Sequence, residues 1–262
     1  MRLALAALAL LALASPVAAQ PRPMMIEDLT WVEVRDAIAA GRTTAIYYAG
    51  STEQFGPHLA VGKHNFIAQH VARRIAETLG NALVYPVMPY ALTGDAAKKT
   101  DHMRFPGSVS VTAQTFGAVA REVAASAIAA GFKNVFLMGD HGGGQDVLKQ
   151  VAAELDRQWA PQGARVRYVP DIYYKAEEQV RAHLAARGIK PGLHAGIADT
   201  SEIMYLDKEG RWMRRDKLSP GSAASGVDGD PRQASAELGK LFLDYKVNSA
   251  VAQIRGMLAG RE

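Results

Sequence analysis

Apolar and polar residues alternate in blocks along this chain. Short apolar runs over residues 44–49, 82–87, 134–138 and 164–169 have the length and the β-branched and aromatic content of buried strands. Amphipathic patterns of helical period separate them, over residues 30–40, 65–79, 112–130, 145–159 and 176–187. Gly41, Gly80, Gly131 and Gly188 follow four of these patterns, where a glycine closes a helix. A last helix is expected from about 232 to 258, after a loop over 220–231 rich in Gly, Ser and Asp. Strand and helix therefore alternate. That order predicts a mainly parallel sheet covered by helices on both faces, in one domain spanning residues 20–262, with no repeat.

The amino terminus breaks the pattern. Met1-Arg2, an apolar run from 3 to 14 and the small residues before Gln20 have the layout of a secretory signal, cut after residue 19. The run is short of the roughly 18 to 20 residues that span a bilayer. A periplasmic or secreted protein without stable membrane insertion is the expectation. Residues 1–19 hold one base, Arg2, and no acid, so the formal charge of +4 falls to +3 on their removal. So mild a balance does not call for nucleic acid. The chain has no cysteine, which excludes thiolate catalysis, Cys-ligated zinc and disulfides.

In parallel sheets, chemistry gathers in the loops that leave the carboxyl ends of the strands. Five of the seven histidines, His58, His64, His102, His141 and His194, fall in or beside such loops, together with Glu53, Asp140 and Asp199. Imidazoles and carboxylates that recur at successive strand ends can converge on one divalent cation. Glu53 follows the first strand among small residues and a proline; as a plain alternative it is an exposed or helix-capping acid. His64 opens the next helical pattern. His141 stands between Asp140 and three glycines, where backbone can approach a ligand closely. His70 and His183 lie inside helical patterns and read as ordinary structural residues. His58 and His102 are candidate substrate contacts or loop hydrogen bonders, and Arg104 a carboxylate partner or an exposed arginine. Neither a GxGxxG run nor a Walker lysine motif is present, which argues against nucleotide binding.

The segment GSTEQFGPHLAVGKHN, followed in order by RFPGSVSVT, MGDHGGG, HAGIADTS and GVDGDPRQASAELG, resembles the blocks of the creatininase (creatinine amidohydrolase) family over roughly residues 44 to 245. The resemblance implies a three-layer α/β/α sandwich, homo-oligomers such as hexamers, and hydrolysis of a small cyclic or linear amide at a metal centre. Family members hold two ions. Carried over by position, one set becomes Glu53, His64 and His141, and the other Phe55, His64 and Gly143. Phe and Gly side chains ligate nothing, and an imidazole at 64 cannot bridge two ions as a carboxylate does. One divalent ion is therefore expected on Glu53, His64 and His141, zinc first, manganese or iron as alternatives. His194 falls on the family's proton-transfer position. Asp199 stands where the family has a glutamate, to orient His194 or act as a ligand, and Asp140 is placed behind the metal ligands. A metal-dependent lactonase or deformylase, or a catalytically altered ligand-binding protein, are the competing readings.

Overall fold

The computed structural model describes residues 24–261; the signal-like residues 1–19 lie outside that range. Four strands, β1 (Thr44–Ala49), β2 (Ala82–Val84), β3 (Asn134–Gly139) and β4 (Arg165–Tyr168), form one sheet in the order β2-β1-β3-β4, and every pair runs parallel. Among the described residues seven α-helices surround it: α1 (Trp31–Ala39), α2 (Lys63–Leu79), α3 (Ala113–Ala130), α4 (Gln145–Trp159), α5 (Tyr174–Ala185), α6 (Ile197–Leu206) and α7 (Ala236–Leu258). None of the helices among the described residues is long and apolar enough to cross a membrane.

The strands read as continuous apolar runs because both their faces are covered. Ile46 and Tyr48 of β1 and Phe136 and Met138 of β3 point to one side, onto Ile67, Val71 and Ile75 of α2, Ile203 of α6 and Leu243 and Val247 of α7. The alternate residues Ala45, Tyr47, Val135 and Leu137 point to the other, onto Phe116, Ala120 and Ala124 of α3 and Leu148, Val151 and Leu155 of α4. The result is the expected α/β/α sandwich. Local signals place the helix ends: Thr30 makes a capping box with Glu33, Thr112 and Ser235 cap α3 and α7, and Gly80 and Gly131 close α2 and α3 in the left-handed conformation.

α2 starts at Lys63 rather than 65, α5 spans Tyr174–Ala185 rather than 176–187 and α7 starts at Ala236 rather than about 232, and three further features differ from the sequence expectation. β2 stops at Val84, two residues short of Pro86, a residue without an N–H for the ladder. α6 was expected only as a loop motif, since it starts at Gly196 without a side-chain cap and turns Thr200, Ser201 and Glu202 inward. The 220–231 loop is not wholly superficial. Val227 is buried in the core, and the Gly226 carbonyl accepts from Gln54 Nε2 at 3.0 Å.

α6 packs against α7 through Gly239. A Cβ built there would lie 1.9 Å from the Ser201 carbonyl oxygen. Alanine is intrinsically the better helix former, by about 1 kcal/mol, yet Gly239→Ala should lower stability by about 1 to 3 kcal/mol because the two backbones must separate. Thermal or urea unfolding of the variant gives the sign; a stabilised variant would contradict this packing.

Candidate metal centre

The loop after β1 carries Glu53 into the interior. Its carboxylate is fully buried, and among the described residues neither oxygen has a hydrogen-bond donor. Four imidazoles surround it. His141 Nε2 approaches Oε2 at 2.9 Å, off the line of a hydrogen bond, while His102 Nε2, His64 Nε2 and His194 Nδ1 lie 3.6, 3.8 and 3.9 Å from Oε1. An isolated buried carboxylate is strongly unfavourable. Burial pushes the Glu53 carboxyl up, but His141, His64 and His102 together outweigh it and hold it at about 2, so it is ionised. Ionised, fully buried and without a hydrogen bond, it fits a cation.

The hydrogen bonds behind each ring determine which nitrogen can face that cation. His64 Nδ1 lies 2.6 Å from Asp140 Oδ2, and a carboxylate only accepts, so Nδ1 carries the hydrogen and the Nε2 lone pair faces Glu53. Burial, then the Lys63 charge, bring His64 down to about 4, which keeps it neutral. His194 Nε2 donates to the Gln54 carbonyl at 2.7 Å, leaving the Nδ1 lone pair on the Glu53 side. His141 Nδ1 sits between the Gly143 N–H and carbonyl, at 2.9 and 3.2 Å, and can take either role. Burial lowers its proton affinity, but Glu53 more than offsets this and the net shift is upward. His102 Nδ1 faces the Gln54 amide nitrogen at 3.3 Å, a long contact that biases the hydrogen toward Nε2.

Two criteria thus select different third donors. By proximity, Glu53, His102 and His141 are the compact group, with ligand atoms all within 4.8 Å of one another. By hydrogen-bond chemistry, His64 and His194 are the imidazoles that already turn a lone pair toward Glu53, at 3.8 and 3.9 Å. Glu53 and His141 belong to both sets.

The remaining residues of the sequence reading fall at defined distances from this centre. Asp140 lies behind His64 rather than His141, and also accepts from Tyr48 Oη at 3.1 Å and Lys246 Nζ at 2.8 Å. Asp199 is paired with Lys63 and accepts from the Ala195 N–H. His58 is buried off the cavity with Nε2 3.0 Å from Thr200 Oγ1, the loop hydrogen bond. Arg104 is exposed and donates to the Asp101 carbonyl at 3.1 Å, away from the cavity. Phe55 is buried in the midst of the site: His194 stacks on it at 4.5 Å, His64 meets it edge-on at 4.9 Å, and Lys63 Nζ lies 4.4 Å from the ring centre. At Gly143 a Cβ would come within 2.1 Å of the Leu92 carbonyl oxygen, so no side chain fits there.

Sequence reading missed five charges lining the same cavity of about 290 Å³: Lys63, Glu202 and Lys246, with Glu177 and Arg181 of α5. Lys246 Nζ binds Glu202 at 3.2 Å as well as Asp140. A signal existed for Lys246, which sits in α7 between the buried Phe242 and Leu243 and the buried Ala250, on a stripe otherwise apolar. Burial pushes the Glu202 carboxyl up to about 7, which Lys246, already engaged by Asp140, opposes only in part. A carboxyl raised above its ordinary 4.5 adds stability below that value and gives it up as pH climbs through about 7. Metal-free Glu202→Gln should therefore lose less stability than the wild type between about pH 5 and about pH 8. Urea midpoints across that range measure this, and parallel losses in the two proteins would refute it.

Known proteins resemble this chain in sequence and in fold. The family model described as creatinine amidohydrolase matches residues 27–254. The mycofactocin precursor peptide peptidase of Mycobacterium ulcerans (strain Agy99) is 26% identical over 232 residues, covering 78% of this chain and 82% of the relative. The creatinine amidohydrolase of Pseudomonas putida is 27% identical over 120 residues, 46% of this chain and 45% of the relative. Among solved structures, a manganese creatininase superposes with a TM-score of 0.74 at 21% identity, over 90% of this chain and 99% of the other. A zinc–zinc mutant creatininase does so with a TM-score of 0.70 at 21% identity and the same coverage.

Proposed function

The chain belongs to the creatininase family of amidohydrolases, and on that footing we propose that it hydrolyses a small amide with a single divalent ion held by Glu53, His64 and His141, His102 standing beside them. The observation that carries this is the fully buried Glu53 carboxylate, both oxygens without a hydrogen bond, facing four imidazoles. A carboxylate and two histidines suit zinc, and manganese or iron are compatible with the same set. Bound there, such an ion supplies a nucleophile at neutral pH and Lewis-acid polarisation of a carbonyl.

The chain's own residues account for the rest. Asp140 fixes the His64 tautomer and is itself neutralised by Lys246. His194, with Nε2 committed to the Gln54 carbonyl, has Nδ1 as its working atom, and an imidazole there can take a proton and return it to the departing amine. Tyr173 lines the cavity, and His102 lines it beside Glu53. A second open cavity along α5 shares Gly142, Tyr173, Glu177 and Arg181 with the first, so the cleft continues beyond the metal site. That continuity favours a linear amide over a compact cyclic one. We add export to the periplasm or medium, from the signal-like residues 1–19, and a homo-oligomeric state, from the family resemblance.

Elemental analysis of the purified protein should find about one equivalent of metal, lost in Glu53→Ala, His64→Ala and His141→Ala and kept, at weaker affinity, in His102→Ala. No metal in any preparation, or retention in the Glu53 variant, would sink the reading. Against a panel of linear and cyclic amides, His194→Ala should be slower by about 100-fold to 10,000-fold with its metal content intact. Undiminished turnover would remove His194 from the chemistry.

A further inference from the structure

Lys63 precedes the candidate ligand His64 and is among the most deeply buried side chains, with 1% of its side-chain surface exposed. Among the described residues its ammonium has one hydrogen-bond acceptor, Asp199 Oδ1, and it also lies 4.4 Å from the centre of the Phe55 ring. Asp199, the third residue of α6, reaches back with its other oxygen to accept the Ala195 N–H at 2.6 Å. Ala195 has φ +52°, a left-handed conformation that an alanine adopts only where its surroundings impose it. The residue before Ala195 is His194.

We propose that Lys63 is a positioning residue for His194: its ammonium anchors Asp199, Asp199 holds the Ala195 N–H, and the backbone bend so imposed aims His194 Nδ1 at the Glu53 carboxylate. A second route reinforces the first, since the Phe55 ring that Lys63 touches is the one on which His194 stacks at 4.5 Å. On the far side the His194 backbone is held too, its carbonyl accepting from the Asp228 N–H at 2.8 Å and the Leu193 N–H donating to Asp228 Oδ2 at 2.8 Å. The ring therefore has its position set by α2 through one charge and by the 220–231 loop through another. Were Lys63 only a counter-ion for a buried acid, the strained Ala195 and the shared aromatic ring would have no part in the arrangement. The inference rests on the reading of His194 as the proton carrier.

Long-range ¹H–¹⁵N histidine spectra of the full chain, metal-free and loaded with zinc alone, test it without any substrate. In the wild type, His194 should show the single tautomer with hydrogen on Nε2. In Lys63→Met it should move to an average of two tautomers, while the His141 resonances and the zinc equivalent stay as they were. On whichever amide the wild type turns over, kcat should fall by about tenfold or more with KM within about twofold. Removing Lys63 strands the Asp199 carboxylate; should that variant not fold, Lys63→Met/Asp199→Asn leaves no buried charge unpaired and carries the same expectation. A folded double variant with wild-type His194 resonances and kcat overturns the proposal. If the wild type hydrolyses no amide, the hydrolase reading fails by itself, and the spectra still decide whether Lys63 positions His194.

Discussion

An ionised carboxylate at the end of the central strand, shut away from water and without a hydrogen bond, is the constraint around which this molecule is arranged. β1 is buried on both faces, so the loop that leaves it delivers Glu53 into a space where water cannot stabilise the charge. Stabilisation has to come from positive charge supplied locally. Four histidines from four separate segments converge there, a set that a divalent ion would complete. The other buried acids of the site each acquire an ammonium: Asp199 has Lys63, and Asp140 and Glu202 share Lys246. The site is thus a nested set of compensations. Removing any one member exposes the charge of the next.

The scaffold distributes these members so that no single element controls the site. β1 and β3 contribute Glu53 and His141 from adjacent strand ends, in register through the pairing of Ala49 with Gly139. α2 contributes Lys63 and His64, and α6 and α7 contribute Asp199, Glu202 and Lys246 from one face of the sheet. Gln145 fixes the glycine-rich turn, donating to the Gly139 and His141 carbonyls at 3.0 and 2.7 Å while Tyr168 Oη donates to it at 2.6 Å. Glycines in that turn are there for space as well as for bending.

Much of this was legible in the sequence because period and punctuation agree. The limits of β1 and α4 and the glycine stops at Gly80 and Gly131 follow from local chemistry that tertiary contacts reinforce. The histidines announced themselves by recurring at strand ends. α6 did not, because beside Ile197 and Ile203 it buries Thr200, Ser201 and Glu202, polar residues whose partners come from other segments. Lys63 was hidden for a similar reason. A lysine at a helix start reads as solvated, and only the fold reveals the Asp199 carboxylate 136 residues away that makes its burial tolerable. Likewise, one cannot see from spacing that Asp140 serves His64 and not its neighbour His141.

The crowding at Gly143 carries an implication for how this site can change over time. Its missing side chain leaves room that the Leu92 carbonyl now occupies, so a glutamate introduced at 143 would meet backbone before it could reach any ion. Phe55, wedged between His64, His194 and Lys63, has likewise become a support on which other residues lean. Restoring ligating groups at those two positions would require the neighbouring loop to retreat first and the supported residues to find other anchors. Neither position can therefore be changed alone without cost: a side chain at 143 meets backbone, and a ligating residue at 55 takes away the ring on which His194 stacks and Lys63 rests.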